Sequence, residues 1–283
     1  MQKIRPMGRL MKRKDITMVF PIQLLWLFVA AMAISSIGFK NYVWFISLGY
    51  GFSIAGEGVL MLILYGQSLQ LGTILCAVLF ILYGLRLGGY LAIREAKSSS
   101  YKKNMTGEIK DGKTIPMGVK IAIWVTCAAL YVTQVSAVFY RMHNAAKDNV
   151  AVFIGAGIMA LGLILETASD IQKNNAKKRN PKRFVDTGLY RLVRCPNYLG
   201  EMIFWTGVLV CGIGALSLGQ WIVAAIGYVG IIFVMFSGAR RLELRQDKNY
   251  GADPEYRKYV TTVPILLPFI PLYSVKKHKW LVA

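Results

Sequence analysis

Apolar runs of about twenty residues recur along the chain, separated by gaps crowded with Lys and Arg. A soluble domain can bury a large core without runs of this length, whereas roughly 18 or more apolar residues with few charges suit a helix that crosses the hydrocarbon of a bilayer. Seven such runs are read, at about 17–38, 42–66, 71–93, 118–140, 150–170, 198–215 and 218–238. The pattern predicts an all-α, polytopic membrane protein with about seven transmembrane helices. Connections after the first, second and sixth runs are short enough to force antiparallel hairpins, and no inverted internal repeat of the transporter kind is found. The N-terminal residues are basic and precede an apolar run, as in a signal peptide. Ile34-Ser35-Ser36-Ile37-Gly38 offers no convincing small-x-small cleavage site, so a retained helix is expected. The organisation expected is one integral membrane domain over 1–283, with a basic tail at 1–16 and a cytoplasmic or interfacial segment at 240–283. Within that segment, 240–260 is charged and helical in pattern, and Pro264, Pro268 and Pro271 interrupt an apolar stretch that lies at the interface rather than spanning.

The net charge of +20, from 34 Lys and Arg against 14 Asp and Glu, would suggest nucleic acid on a soluble protein. Here the cations fill the gaps between apolar runs, which is the pattern of cytoplasmic loops facing anionic lipid. Nucleic acid is not an expected partner; the bilayer is. The same charge attracts a phosphate-rich cofactor. Basic residues concentrate at 94–120, at 171–197 and after 238, and with seven spans these three segments share one side, read as the cytoplasm. The N-terminal tail, with Lys3, Arg5, Arg9, Lys12, Arg13 and Lys14, falls on the other side by the same count. Either the three downstream segments outweigh it, which is the favoured reading, or one early span is miscounted.

Metal chemistry finds few ligands. Cys76, Cys127, Cys195 and Cys211 form no CxxC pair, and three of them lie within apolar runs. His143 and His278 are far apart in sequence. Zinc, haem and disulfides are therefore not expected.

An ionisable group inside a span is costly and is a functional candidate. Glu57 stands mid-span in Gly56-Glu57-Gly58; charged and unpaired, it would cost ~2.5 kcal/mol or more, so a protonated or hydrogen-bonded carboxyl is expected. In the third run, Tyr83, Arg86, Tyr90 and Arg94 are spaced i, i+3, i+7 and i+11. They share one helical face, about 16 Å long at 1.5 Å per residue, suited to line a slot for an extended dinucleotide. Snorkelling and an aromatic belt explain Arg94 and Tyr90 but not Arg86. Glu166 and Asp170, at i and i+4, repel unless cations or ligand hydroxyls lie between them, and an ordinary loop salt bridge is the bland alternative. Finally, Arg194 precedes a helix start at Pro196-Asn197, with Glu201 one turn in and Gly188 and Gly200 allowing close approach. A helix N-terminus beside an Arg is a natural phosphate site. No GxGxxG follows a strand, so a soluble dinucleotide fold is not supported.

These residues carry a family resemblance. GLYRLVRCPNYLGE, ending at Glu201, resembles the GLxRYxRHPNYxGE signature of steroid 5α-reductases and related bacterial membrane reductases, with Cys195 at the signature's His. Leu165-Glu166-Thr167-Ala168-Ser169-Asp170 resembles that family's preceding element, and Tyr83-Gly84-Leu85-Arg86 its third-span Tyr-x-x-Arg. Arg241 to Tyr259 is similar to the C-terminal motif shared with sterol C14 and C7 reductases. The resemblance implies NADPH as cofactor and reduction of a C=C bond conjugated to a ketone, in a steroid- or sterol-like substrate. It implies that Glu57 and Tyr83 hold the substrate carbonyl, donating hydrogen bonds as charge builds on its oxygen. It also implies cofactor contacts from Arg86, Arg94, Asp170, Arg183, Arg194, Asn197 and Glu201, with Arg241, Arg245 and Tyr250, and Glu166 standing beside Asp170 in the same element. Isoprenylcysteine carboxyl methyltransferases carry a similar RHPxY element, so a membrane methyltransferase using S-adenosylmethionine is the competing enzyme. A small transporter or lipid-binding protein is the alternative from another class; it explains the spans and Glu57 but not the 188–201 motif.

Overall fold

The computed structural model of the chain describes residues 18–97 and 115–281. The basic tail at 1–16 and the loop cations Lys102, Lys103, Lys110 and Lys113 lie outside the described residues. Every regular element among those described is a helix: α1 Ile22–Ser35, α2 Leu48–Leu64, α3 Leu71–Lys97, α4 Met117–His143, α5 Val150–Arg179, α6 Pro196–Cys211, α7 Leu218–Tyr250 and α8 Pro254–Thr262, with short 3-10 turns between. The fold is the expected all-α, polytopic one. Six helical segments are long and apolar enough to cross a bilayer. The remaining expected run forms α6, which has 16 residues. At 1.5 Å per residue that is about 24 Å, short of a ~30 Å hydrocarbon core. Past Cys211 the chain tightens into turns, with the Gly212 and Ile213 amides donating to the Leu209 and Val210 carbonyls at 3.0 and 3.1 Å, and Gly214 then takes φ +75°.

Two helices run well past the apolar runs that announce them. α5 continues to Arg179 and α7 to Tyr250. Their extensions are rich in Lys, Arg, Gln, Glu and Ala, good helix formers that carry no hydropathy signal. α8 then starts where Asp253 caps it, its carboxylate accepting from the Glu255 amide at 2.8 Å, with Pro254 at the first helical position.

The chain forms two compact units, Met1–Ala156 with Val208–Gly227, and Gly157–Gly207 with Tyr228–Ala283. In the first, α2 and α3 form the expected antiparallel hairpin, held by backbone-to-backbone approach at small residues. A Cβ on Gly84 would collide with the Gly51 carbonyl oxygen and the Ala55 amide, and one on Gly51 would meet the Gly88 nitrogen at 2.7 Å. Helices in lipid associate this way because apolar side chains gain little by leaving hydrocarbon. α1 and α4 are joined through the Trp124 indole, which donates to the Met32 carbonyl at 3.0 Å. In the second unit α5 and α6 cross at Gly162 and Gly200, where a Cβ on either would strike the other helix's backbone. Outward faces remain apolar: Trp26, Ile63, Leu82, Leu85, Leu161, Ile164 and Val229 are all exposed. An integral membrane protein presents such faces to lipid.

The proline-rich segment after α8 is tied into the second unit. Arg194 and Cys195 donate backbone hydrogen bonds to the carbonyls of Pro264 and Ile265, at 2.9 and 3.0 Å. Ile265, Leu266, Val275 and Leu281 are buried, while Phe269 is 94% exposed.

Replacing Gly84 by Val should lower the stability of the chain in detergent by ~1–3 kcal/mol or more, as overpacking does. Gly89→Ala, on the same helix but with open space around it, should change stability little or raise it. Denaturant titration followed by helical circular dichroism checks both.

Candidate functional site

In the first unit, helical spacing gathers a polar cluster inside an apolar bundle. Tyr50 and Glu57 lie two turns apart on one face of α2, Tyr83 on α3, and Tyr131 and Gln134 one turn apart on α4. The Tyr83 hydroxyl donates to the Tyr50 hydroxyl at 2.9 Å, and the Gln134 amide donates to the same oxygen at 3.3 Å. The Tyr131 ring packs against Tyr50, with centroids 5.2 Å apart, and its hydroxyl donates to the Phe45 carbonyl. Glu57 is fully buried, within electrostatic reach of Tyr131, and neither carboxyl oxygen has a hydrogen-bond partner among the described residues. A buried polar group without a partner is expensive, and such groups collect where a ligand completes them. Sequence inspection found Glu57 and Tyr83; Tyr50, Tyr131 and Gln134 were missed. Gln134 was findable as a side-chain amide deep in the fourth apolar run.

Further along α3, the expected face is present. The Arg86 and Arg94 guanidinium carbons lie over the Tyr90 ring, 5.8 and 5.6 Å from its centroid. Tyr90 thus holds two cations on one stripe of helix.

The second unit contains a cavity of about 110 Å³ lined by Lys173 and Lys177 of α5, Arg194 and Asn197 of the motif, and Arg245, Asn249 and Tyr250 of α7, with Phe184 and Tyr190 among its walls. Four cations and no acid line it. The motif loop is fixed from both sides. Gly188, at φ +61°, lets the Leu189 amide donate to the Gln172 side chain at 2.9 Å, and the Tyr259 hydroxyl donates to the Tyr190 carbonyl at 2.7 Å. Lys177 donates to the Tyr250 hydroxyl at 2.7 Å.

Of the residues singled out by sequence, Arg194, Asn197, Arg245 and Tyr250 line this cavity. Glu166, Asp170, Arg183, Glu201 and Arg241 are not among its lining residues. Glu166 is buried against the Gly200 backbone, and Glu201 accepts from the Trp205 indole at 3.1 Å. Arg183 pairs instead with Glu255 and Asp186, at 2.5 and 2.8 Å, and these hydrogen bonds raise its pKa further. Arg241 is exposed. Lys173, Lys177 and Asn249 were missed, because in sequence they resemble every other residue of a basic segment. Arg194 does more than line a cavity. It is buried, its guanidinium pairs with the buried Glu243 at 3.0 Å, and the same nitrogen donates to the Tyr273 carbonyl. The other Glu243 oxygen accepts from the Val275 amide at 2.9 Å. Next to it, burial pushes the Cys195 thiol up to about 12, against the pull of Arg194, so it stays a neutral thiol at physiological pH.

Residues 39–263 match the family described as "Protein of unknown function (DUF1295)". The chain belongs to this family. No curated protein and no solved structure matches it. The matched span contains both the buried cluster and every residue of the cavity, and it ends just before Pro264, where the proline-rich segment begins.

Removing the charge of Glu243 strands a buried guanidinium. Glu243→Gln should cost ~3–5 kcal/mol, whereas Glu243→Leu combined with Arg194→Met should recover much of that. A double-mutant cycle from unfolding titrations in detergent checks the pair.

Proposed function

We propose that the chain is an NADPH-dependent membrane reductase that saturates the C=C bond of a lipid-like α,β-unsaturated ketone, as members of the steroid 5α-reductase superfamily do. The observation that carries this is the acid-free cationic cavity built around the 188–201 motif. Its size suits a phosphate group, and its lysines and arginines suit the charge. It fits the phosphate-bearing end of a dinucleotide, with Asn197 at the start of α6 adding a helix N-terminus. Such a lining is unfavourable for the sulfonium of S-adenosylmethionine, which places the methyltransferase second. In this account the basic segments and the C-terminus face the cytoplasm, where the cofactor is found, and the apolar substrate arrives through the bilayer.

A bound reduced nicotinamide supplies the hydride that adds to the β-carbon of the enone. Negative charge then builds on the carbonyl oxygen. Tyr83 and the protonated Glu57 donate to that oxygen, an oxyanion-hole role in a dry site. A proton taken up at the α-carbon completes the saturated ketone. Tyr50 extends the relay: when the Tyr83 hydroxyl turns from Tyr50 to the substrate, Tyr50 can donate to Tyr83 while Gln134 continues to donate to Tyr50. Every dipole in that row then points at the growing charge.

Enone-dependent oxidation of NADPH by the purified chain in detergent tests this, with a 3-oxo-Δ4 steroid as the first probe. Glu57→Ala and Tyr83→Phe should each slow turnover about a hundred-fold or more, corresponding to ~2.7–4 kcal/mol for one lost donor, with NADPH still bound. Glu57→Gln keeps a donor and should lose less. Wild-type turnover in a folded, NADPH-binding Glu57→Ala protein would refute the mechanism.

A further inference from the structure

The last seven described residues form a tight turn whose inside and outside differ sharply. The His278, Lys279 and Leu281 amides donate to the Val275, Lys277 and His278 carbonyls, at 3.1, 3.0 and 3.0 Å. Val275 and Leu281 point inward, each 1% exposed, while Lys276, Lys277, His278 and Lys279 point out. α7 fixes the position of this turn along its length. The Trp280 ring stacks on Phe233, centroids 6.0 Å apart, and Phe233 belongs to the outward apolar face with Val229 and Val234. Arg240, the first charged residue of α7, donates to the Lys276 and Leu281 carbonyls at 3.1 and 3.2 Å. From Phe233 to Arg240 the helix rises about 10 Å. The turn is therefore pinned across the boundary between the apolar and charged parts of α7, with an indole on the apolar side and ammonium groups beside it. Lys276 is engaged by Asp247 at 2.8 Å. Lys277 and Lys279 have no ion pair among the described residues.

We propose that the turn Val275–Leu281 is a binding site for the headgroup of an anionic phospholipid. Lys277 and Lys279 hold the phosphate, and Trp280 on Phe233 lies along the upper part of the acyl chains. Two ammonium groups that make no ion pair among the described residues favour an anionic lipid over a zwitterionic one. The indole stacked on a lipid-facing Phe favours a lipid over a free phosphate, which would leave that surface without an occupant. The site also has a reach. The Val275 amide and the Tyr273 carbonyl are held by Glu243 and Arg194, so a lipid that steadies this turn steadies the strap tied to the buried Arg194–Glu243 pair.

The test uses the full chain in nanodiscs of phosphatidylcholine containing a minority of phosphatidylglycerol, with bromine on the acyl chains of one lipid or the other. Trp280 emission is isolated by subtracting a Trp280→Phe protein. Brominated phosphatidylglycerol should quench it several-fold more than brominated phosphatidylcholine at equal mole fraction, on the order of fivefold for each lysine engaged. The preference should vanish in Lys277→Gln/Lys279→Gln, whose helical circular dichroism should be unchanged because both side chains are exposed. Equal quenching by the two lipids, a preference that survives the double substitution, or its removal by an equal concentration of soluble glycerol phosphate would each overturn the proposal.

Discussion

No water reaches the hydrocarbon core of a bilayer to satisfy a backbone amide or carbonyl. Each span must therefore close its own hydrogen bonds as a helix, and a polar side chain within it is costly unless its own helix or a neighbouring one offers a partner, as Leu163 does for Thr167 and Tyr50 for Tyr83. The rest of this structure depends on that constraint. Gly51, Gly84 and Gly88 bring α2 and α3 together by their backbones, and Gly162 and Gly200 do the same for α5 and α6. Close approach of this kind makes room for Tyr50, Tyr83 and Gln134 to form a hydrogen-bonded row where lipid cannot enter.

Glu57 stands out against that background. Its neighbours in the cluster bond to one another or to backbone, yet neither of its oxygens has a hydrogen-bond partner among the described residues. An acid kept in this state is costly in stability, and a site that must donate to a transient negative charge needs such a donor held in reserve. In the second unit the balance is reversed. There a surplus of cations lines a small cavity, and the buried Glu243 compensates the enclosed Arg194. The same carboxylate fastens the strap that follows α8, so the motif and the C-terminal segment share one anchoring group.

Much of this was legible in the sequence because hydropathy and backbone demands leave strong traces there. The apolar runs located α1 to α7, Glu57 betrayed itself as an acid inside a span, and Arg194, Asn197, Arg245 and Tyr250 came from motifs and do line the cavity. What was not legible had no such trace. The polar extension of α5 looks like loop, since its helical character comes from propensity rather than from burial, whereas the charged part of α7 after 240 was already helical in pattern. Lys173 and Lys177 differ from their basic neighbours only by the side of α5 on which they fall. Arg183 and Arg194 are alike in sequence; one is half-buried and paired with Glu255, the other buried on Glu243, and only tertiary packing separates them.

The cationic cavity is proposed to take a phosphate-rich dinucleotide. The most direct test is to titrate the purified full chain in detergent with NADPH and, separately, with S-adenosylmethionine. Saturable NADPH binding is predicted, weakened by rising salt and lost about ten- to a hundred-fold in Arg245→Glu, with no comparable binding of S-adenosylmethionine. Tight S-adenosylmethionine binding without NADPH binding would contradict it.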